Sequence, residues 1–190
     1  MSQALMAQSY ELHLPHQRGT SPLKDTAEKL PFSKASIPDV VLLNQHGEQV
    51  RFYSDLVKNK VVAINFIFTT CTTICLPMGA HFSKLQKLMG EQVGKDFHLI
   101  SISVDPVIDT PQRLKAWGEK LNAGPGWTLL TGPKHDVVTV LKALGVFTPD
   151  KWDHTPIVLI GNEATGQWAR ADGLASPAKL AEIISYLNRQ

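Results

Sequence analysis

The sequence has few cysteines, only two among 190 residues. Two cysteines are too few for the disulfide framework of a small secreted scaffold. They stand four positions apart, at Cys71 and Cys75. A disulfide between them would close a very short loop and would remove little entropy from the unfolded chain. The spacing therefore favours a chemical role for the pair over a purely structural one.

Long apolar runs and a strong excess of charge are also missing. Every apolar run is far shorter than the roughly 20 residues that cross a bilayer, so the chain as given is expected to be soluble. The opening residues 1–8 lack the positive flank and apolar core of a secretory signal. The net charge of +2 and the charged fraction of 19% exclude the basic excess of a nucleic-acid-binding protein and the polarity of a disordered chain.

The domain organisation follows from length and composition. With 43% hydrophobic residues, a chain of 190 residues is expected to form one domain with one core. Residues 1–35 mix proline and glycine with polar residues and show no sustained period, which predicts an extended or flexible lead-in. Residues 36–190 then form the domain. His13 and His16, in the lead-in, are interpreted as solvated side chains rather than metal ligands.

Hydrophobic periodicity predicts alternating strands and helices in this domain. Strands are predicted at residues 40–43 and 50–53, which form a hairpin, and at 61–68, 97–104, 127–130 and 157–160, with a second hairpin turn at 162–166. Helices are predicted at residues 76–89, 111–121, 135–144 and 177–187. This order predicts an α/β fold, with a central mixed sheet flanked by helices and an N-terminal β-hairpin. A thioredoxin-like architecture fits this order best.

The cysteine pair lies at the junction between a predicted strand and a predicted helix. A step of four residues can bring both side chains to the same side, where the sulfurs can form a disulfide or share an ion. The amides and partial positive charge of a helix N-terminus favour the thiolate and lower a cysteine pKa. The threonines around the pair predict a partly exposed site. The threonines are Thr69, Thr70, Thr72 and Thr73.

Three segments of the sequence resemble motifs of the Sco (SenC) family of copper chaperones. The segments are Phe66 to Cys71 with Cys75, Ser101 to Pro111, and Asp153-His154-Thr155 after Trp152. They stand in the family's order, and the resemblance extends from about residue 37 to the end of the chain. The resemblance implies the thioredoxin-like fold that the periodicity also favours.

The resemblance further implies that Cys71, Cys75 and His154 are copper ligands. Two thiolates form a soft site suited to Cu(I), and an added imidazole supports Cu(II). The implied function is the delivery of copper, or of reducing equivalents, to a cytochrome oxidase copper centre. The implied partner is the copper-bearing oxidase subunit or another copper chaperone. A periplasmic or other extracytoplasmic, membrane-associated location follows, and any membrane anchor would lie outside the chain as given.

The sequence departs from the family pattern beside the cysteines. Many members have proline after each cysteine, whereas Thr72 and Leu76 stand there in this chain. Since proline has no amide hydrogen, its absence leaves more donors near the sulfurs and alters their pKa, reduction potential and metal affinity. Pro156 also resembles the proline, often cis, beside the cysteine pair of thioredoxin-type oxidoreductases, which strengthens a redox interpretation.

Several alternative functions therefore stay open. In the first alternative, Cys71 and Cys75 are the catalytic residues of a thiol-disulfide oxidoreductase that acts on a copper-site or other protein disulfide without bound metal. Two cysteines and one histidine can also bind zinc. A peroxidase is a weaker interpretation, and a binding module whose cysteines only sense redox state is another.

Four other polar residues are not predicted to be metal ligands. His81 and His135 lie on predicted helices at no spacing that links them to the thiols. Asp105 and Asp109 flank a strand end and a helix start, where they suit turn formation and capping.

Overall fold

The computed structural model describes residues 37–190 and contains one seven-stranded sheet flanked by helices. The strands are β1 (Val41–Asn44), β2 (Gln49–Arg51), β3 (Val61–Ile67), β4 (His98–Ser103), β5 (Trp127–Thr131), β6 (Ile157–Asn162) and β7 (Gln167–Asp172). The helices are α1 (Cys75–Met89), α2 (Pro111–Lys120), α3 (Lys134–Ala143) and α4 (Pro177–Asn188). The predicted α/β fold with its mixed sheet and N-terminal hairpin is confirmed.

The sheet places β3 near its centre, in the order β2-β1-β5-β4-β3-β6-β7. Strand β3 pairs in parallel with β4 and antiparallel with β6. All seven of its residues are buried, because helices cover both faces of the sheet. This explains the nearly continuous apolar run in the sequence. The carboxyl ends of β3 and β4 meet at one edge, so the loops after these strands lie side by side.

The sheet separates two apolar cores, one on each face, instead of the single core expected from length and composition. Helices α1, α2 and α4 pack on one face, where Phe82, Trp117 and Ile183 are buried. Helix α3 and a single π-helical turn (Phe52–Val57) pack on the other face. Helices α2 and α4 begin as predicted, because the hydroxyl of Thr110 accepts a hydrogen bond from an amide of its own helix and that of Ser176 does the same.

The second arm of the first hairpin is shorter than predicted. Strand β2 ends at Arg51, and the chain enters the π-helical turn instead of continuing to Tyr53. The Arg51 amide donates to the Asp55 carboxylate at 2.7 Å, and the Ser54 amide donates to Asp39 at 2.8 Å. These side-chain acceptors close the turn and compete with strand pairing.

Two further predictions about chain organisation concern the lead-in and membrane-spanning segments. The lead-in predicted for residues 1–35, with His13 and His16, lies outside the described residues, so the boundary at residue 36 stays a prediction. Within residues 37–190, the helices are all too short or too polar to span a membrane.

Gly126, just before β5, is a position where we expect alanine to destabilise the fold. Its φ is +84°, and a Cβ there would lie 2.4 Å from the Gly94 amide nitrogen. Gly47 offers a matched control, with φ +81° but nothing within 4 Å of its Cβ position. Gly47→Ala should cost only the left-handed backbone penalty, about 1 to 2 kcal/mol. Gly126→Ala should lower the free energy of unfolding by about 1 to 3 kcal/mol more. Urea unfolding of both variants checks this, and equal losses would contradict it.

Candidate thiol and metal site

The end of β3 and the start of α1 position the two cysteines. After Ile67 the chain makes a turn in which the Cys71 amide donates to the Phe68 carbonyl at 3.1 Å. Helix α1 begins at Cys75, and its N-cap residue, Ile74, has no side chain that can accept a hydrogen bond. The Cys71 sulfur takes that role and accepts a hydrogen bond from the Cys75 amide at 3.4 Å. The pair is therefore preformed at a helix N-terminus, as the sequence predicted.

The two thiols are less exposed than the sequence predicted. Cys71 is 6% exposed and Cys75 is fully buried, and both belong to the core beneath α1. Both are free thiols. The polar threonines do surround the site, since Thr70, Thr72 and Thr73 are exposed. The prediction of a partly exposed site is therefore wrong for the sulfurs themselves, because the short loop folds them inward beneath its polar rim.

The pKa values of the two thiols are shifted in opposite directions. Burial alone would raise the pKa of the Cys71 thiol, but hydrogen bonds from Cys75 and Thr73 outweigh burial and lower this pKa to about 7. Burial raises the pKa of the Cys75 thiol to about 12, and its hydrogen bond to Cys71 adds to the rise. At pH 7 about half of the Cys71 thiol is therefore ionised, whereas Cys75 keeps its proton.

His154 lies beside the same strand, directly after a 3₁₀ turn (Lys151–Asp153). Its side chain is buried, and its Nε2 lies 3.1 Å from the Phe66 carbonyl oxygen. Burial lowers the pKa of His154, so the imidazole is neutral at pH 7. Because a carbonyl oxygen can only accept a hydrogen bond, Nε2 carries the proton. The lone pair of the ring is therefore on Nδ1.

The turn before His154 is attached to the ends of β3 and β4 by side chains. Lys151 pairs with Asp105 at 2.5 Å, and its Nζ lies 5.3 Å from the centre of the Phe68 ring. The Trp152 ring packs edge-on against Phe68, with 5.0 Å between ring centres. These contacts were not predictable from the sequence, although the motifs of Asp105 and His154 that they connect were both recognised.

A buried carboxylate, Asp109, also connects the strand ends. It accepts hydrogen bonds from the Thr69 amide at 3.2 and 3.1 Å, from the Thr69 hydroxyl at 2.5 Å and from the Ser103 hydroxyl at 2.7 Å. From the sequence, Asp109 was expected to suit turn formation or capping. The capping role belongs to Thr110, the next residue.

The structure brings the two cysteines together, but His154 does not lie close enough to form the predicted three-ligand site with them. Among residues 37–190, no three His, Cys, Asp or Glu side chains lie close enough to hold a metal ion. His81 contacts the Ala175 carbonyl at 3.0 Å, and His135 is exposed on α3. All peptide bonds in the described part of the chain are trans. The Thr155–Pro156 bond is therefore not of the cis type that is often found beside such a cysteine pair.

Two curated relatives are similar to parts of this chain. A SCO1 protein homolog of Bacillus subtilis is 43% identical over 91 residues, which cover 47% of this chain and 45% of the relative. A protein of Stutzerimonas stutzeri, named as a candidate copper-binding protein, is 32% identical over 124 residues, 63% of this chain and 57% of the relative. The matches thus span about half the length of these relatives.

Solved structures extend the similarity over most of the chain. A SCO1/SenC family lipoprotein from Bacillus anthracis str. Ames is 27% identical, with a TM-score of 0.68, covering 84% of this chain and 98% of its own. BsSco, described with a disulfide switch as a member of the Sco family of cytochrome c oxidase assembly proteins, is 26% identical, with a TM-score of 0.67 and coverage of 87% and 97%. The SCO1/SenC family model matches residues 28–188. The chain therefore belongs to the SCO1/SenC family.

Proposed function

We propose that this chain is a copper metallochaperone that carries Cu(I) on Cys71, Cys75 and His154. The observation that carries the proposal is the preformed thiol pair. In it, the Cys71 sulfur accepts a hydrogen bond from the Cys75 amide at 3.4 Å. Family membership, the name of the Stutzerimonas stutzeri relative and the description of BsSco support it. Copper is the cargo of such a protein and passes through the site.

The chemistry of the thiol pair suits a soft monovalent ion. Thiolate sulfur is the ligand that Cu(I) prefers over harder oxygen and nitrogen donors. With its pKa lowered to about 7, Cys71 presents a thiolate near neutral pH, whereas Cys75, with its pKa raised to about 12, must release a proton as the ion binds. Copper binding therefore releases protons and strengthens as the pH rises.

The hydrogen bond of His154 prepares its ring to act as the third ligand. Metal-binding histidines commonly donate the N–H of one ring nitrogen to a carbonyl or carboxylate, which fixes the tautomer and orients the other nitrogen. His154 has this arrangement, because Nε2 faces the Phe66 carbonyl and the lone pair is on Nδ1. Because the imidazole does not lie close enough to the thiols to share a metal ion with them, copper binding by all three residues requires the turn before His154 to shift. The Lys151–Asp105 pair and the packing of Trp152 on Phe68 are the contacts that such a shift would disturb.

The proposed recipient is a copper centre of cytochrome oxidase, on its copper-bearing subunit, or another copper chaperone. The description of BsSco as a cytochrome c oxidase assembly protein supports this choice. Such centres are assembled outside the cytoplasm, and the Bacillus anthracis relative is a lipoprotein. We therefore propose an extracytoplasmic, membrane-associated site of action.

A competitive titration tests the proposed function. Reduced protein should remove one equivalent of Cu(I) from a chromogenic chelator, and protein with both thiols alkylated should remove none. His154→Ala removes a ligand and should weaken Cu(II) binding by more than the roughly ten to hundredfold that changes beside a metal ligand cost. It should weaken Cu(I) binding less, because the two thiolates remain. His135→Ala, at an exposed histidine, is the matched control and should bind like the wild type. Wild-type Cu(I) and Cu(II) affinities in His154→Ala would contradict the assignment of this ligand.

The second candidate function is thiol-disulfide exchange without metal. The low pKa of Cys71 favours it, since a thiolate is also the nucleophile of disulfide exchange. The reduced protein would then reduce a disulfide-bonded peptide that contains a copper-site sequence, in the presence of a chelator. Turnover in that assay, together with no Cu(I) uptake in the titration, would replace the metallochaperone proposal by this one.

A further inference from the structure

We propose that Asp109 is a positioning residue for the Cys71–Cys75 pair, because its buried carboxylate anchors the turn that carries Cys71 to the end of β4. The inference rests on the proposed function only in taking the pair as the working site. It assigns no ligand role to Asp109 and goes beyond the three predicted site residues.

The contacts of Asp109 converge on one end of that turn. Its carboxylate is 1% exposed and accepts from both the amide and the hydroxyl of Thr69, two residues before Cys71. The other anchor is Ser103, the last residue of β4, whose hydroxyl donates at 2.7 Å. Thr69 also accepts from the Arg113 Nε of α2 at 3.1 Å. The carboxylate therefore joins the β3 exit to β4, and the Thr69 hydroxyl extends this network to α2.

A buried carboxylate that accepts several hydrogen bonds holds such an anchor firmly. Leaving its donors unpaired in the core would be costly. Within the turn, the Cys71 amide donates a backbone hydrogen bond to the Phe68 carbonyl, and the side chain of Asp109 adds the link to β4. Asp109 is also close enough for its charge to act on Cys75, where it adds to a pKa that burial already raises to about 12. The same carboxylate thus acts on both cysteines. It acts on Cys71 through the hydrogen bonds that hold its turn, and on Cys75 through its negative charge.

The anchor has a consequence for the reversible closing of the pair. Closing forms a bond between the two sulfurs and passes two electrons and two protons to an oxidised dithiol reagent, whose own disulfide opens. A well-held Cys71 lies near Cys75 for more of the time, which favours the closed form. Loss of the anchor loosens Cys71 and should shift the equilibrium toward the two thiols.

The experiment measures this equilibrium in dithiothreitol redox buffers at pH 7 with a metal chelator present. Asp109→Asn should lower the equilibrium constant for disulfide formation about tenfold, which corresponds to about 30 mV for a two-electron couple. Thr69→Val, which removes the hydroxyl and keeps the amide, should lower it by a smaller factor, and Thr69→Ser should match the wild type. Asp136→Asn, which makes the same change of charge on the first turn of α3, is the matched control and should leave it unchanged.

Thermal unfolding of each variant identifies any that fail to fold. If Asp109→Asn does not fold, the Thr69→Val and Thr69→Ser pair still decides the question. An equilibrium constant equal to that of the wild type in folded Asp109→Asn, or equal values for Thr69→Val and Thr69→Ser, would overturn the proposal. Because no metal takes part, a negative copper titration would count against the proposed function and leave this result standing.

Discussion

Replacing either Cys71 or Cys75 by serine is expected to abolish tight Cu(I) binding. A serine hydroxyl does not ionise near neutral pH and presents a hard oxygen, which Cu(I) binds poorly. One thiolate and one imidazole would remain. The affinity should therefore fall by more than the roughly ten to hundredfold that changes beside a metal ligand cost. The competitive chelator titration, run on both variants at pH 7, measures the loss.

Two controls separate the loss of a ligand from the loss of the fold. Thr72→Ser changes an exposed residue between the cysteines and should bind copper like the wild type. Cys75 is fully buried, so a serine hydroxyl there also costs about 1 to 3 kcal/mol of stability if it finds no partner. Thermal unfolding must therefore accompany the titration. A folded Cys75→Ser variant with wild-type affinity would show that this sulfur is not a ligand.

The two thiols should also differ widely in their rates of alkylation by iodoacetamide. With a pKa of about 7 for Cys71 and about 12 for Cys75, the thiolate fraction at pH 7 is far larger for Cys71. The more basic Cys75 thiolate would be the better nucleophile, which offsets about half of this difference on a logarithmic scale, so Cys71 should react some hundreds of times faster. Its rate should rise through pH 7 and level off near pH 9.

Peptide mass spectrometry of protein quenched at early times measures the two rates separately. In urea, both cysteines should react alike and their rates should rise together near the ordinary thiol pKa, which makes the unfolded chain its own control. Equal initial rates in the folded protein would show that the hydrogen bonds from Cys75 and Thr73 do not favour the Cys71 thiolate.

Local sequence signals were enough to predict the elements around the site. The apolar run of β3 and the Ser176-Pro177 start of α4 have causes within a few residues, namely burial on both faces and a capping hydroxyl. The helix predicted at residues 76–89 begins one residue earlier, at Cys75, and ends at Met89 as predicted. For such features, short-range preferences and the final fold agree.

Contacts between distant segments were not predictable in the same way. His154 meets the Phe66 carbonyl 88 positions away, and Asp109 meets Thr69 across 40 positions. Periodicity indicates which face of an element is buried but not which loops meet at an edge of the sheet. The family resemblance brought His154 into the predicted site, whereas Asp109 was assigned only its nearest-neighbour role. The burial of the sulfurs was missed for the same reason, since it depends on how α1 packs on the sheet.

The position of Trp152 gives this protein a built-in optical reporter. Of its four tryptophans, Trp117 and Trp127 are buried in the core, whereas Trp152 is 60% exposed and packs on Phe68 beside the thiol pair. Core and surface indoles emit at different wavelengths and differ in their access to dissolved quenchers. Rearrangement of the turn that carries His154 would therefore change the emission of one identifiable ring, and a Trp152→Phe variant supplies the spectrum without it.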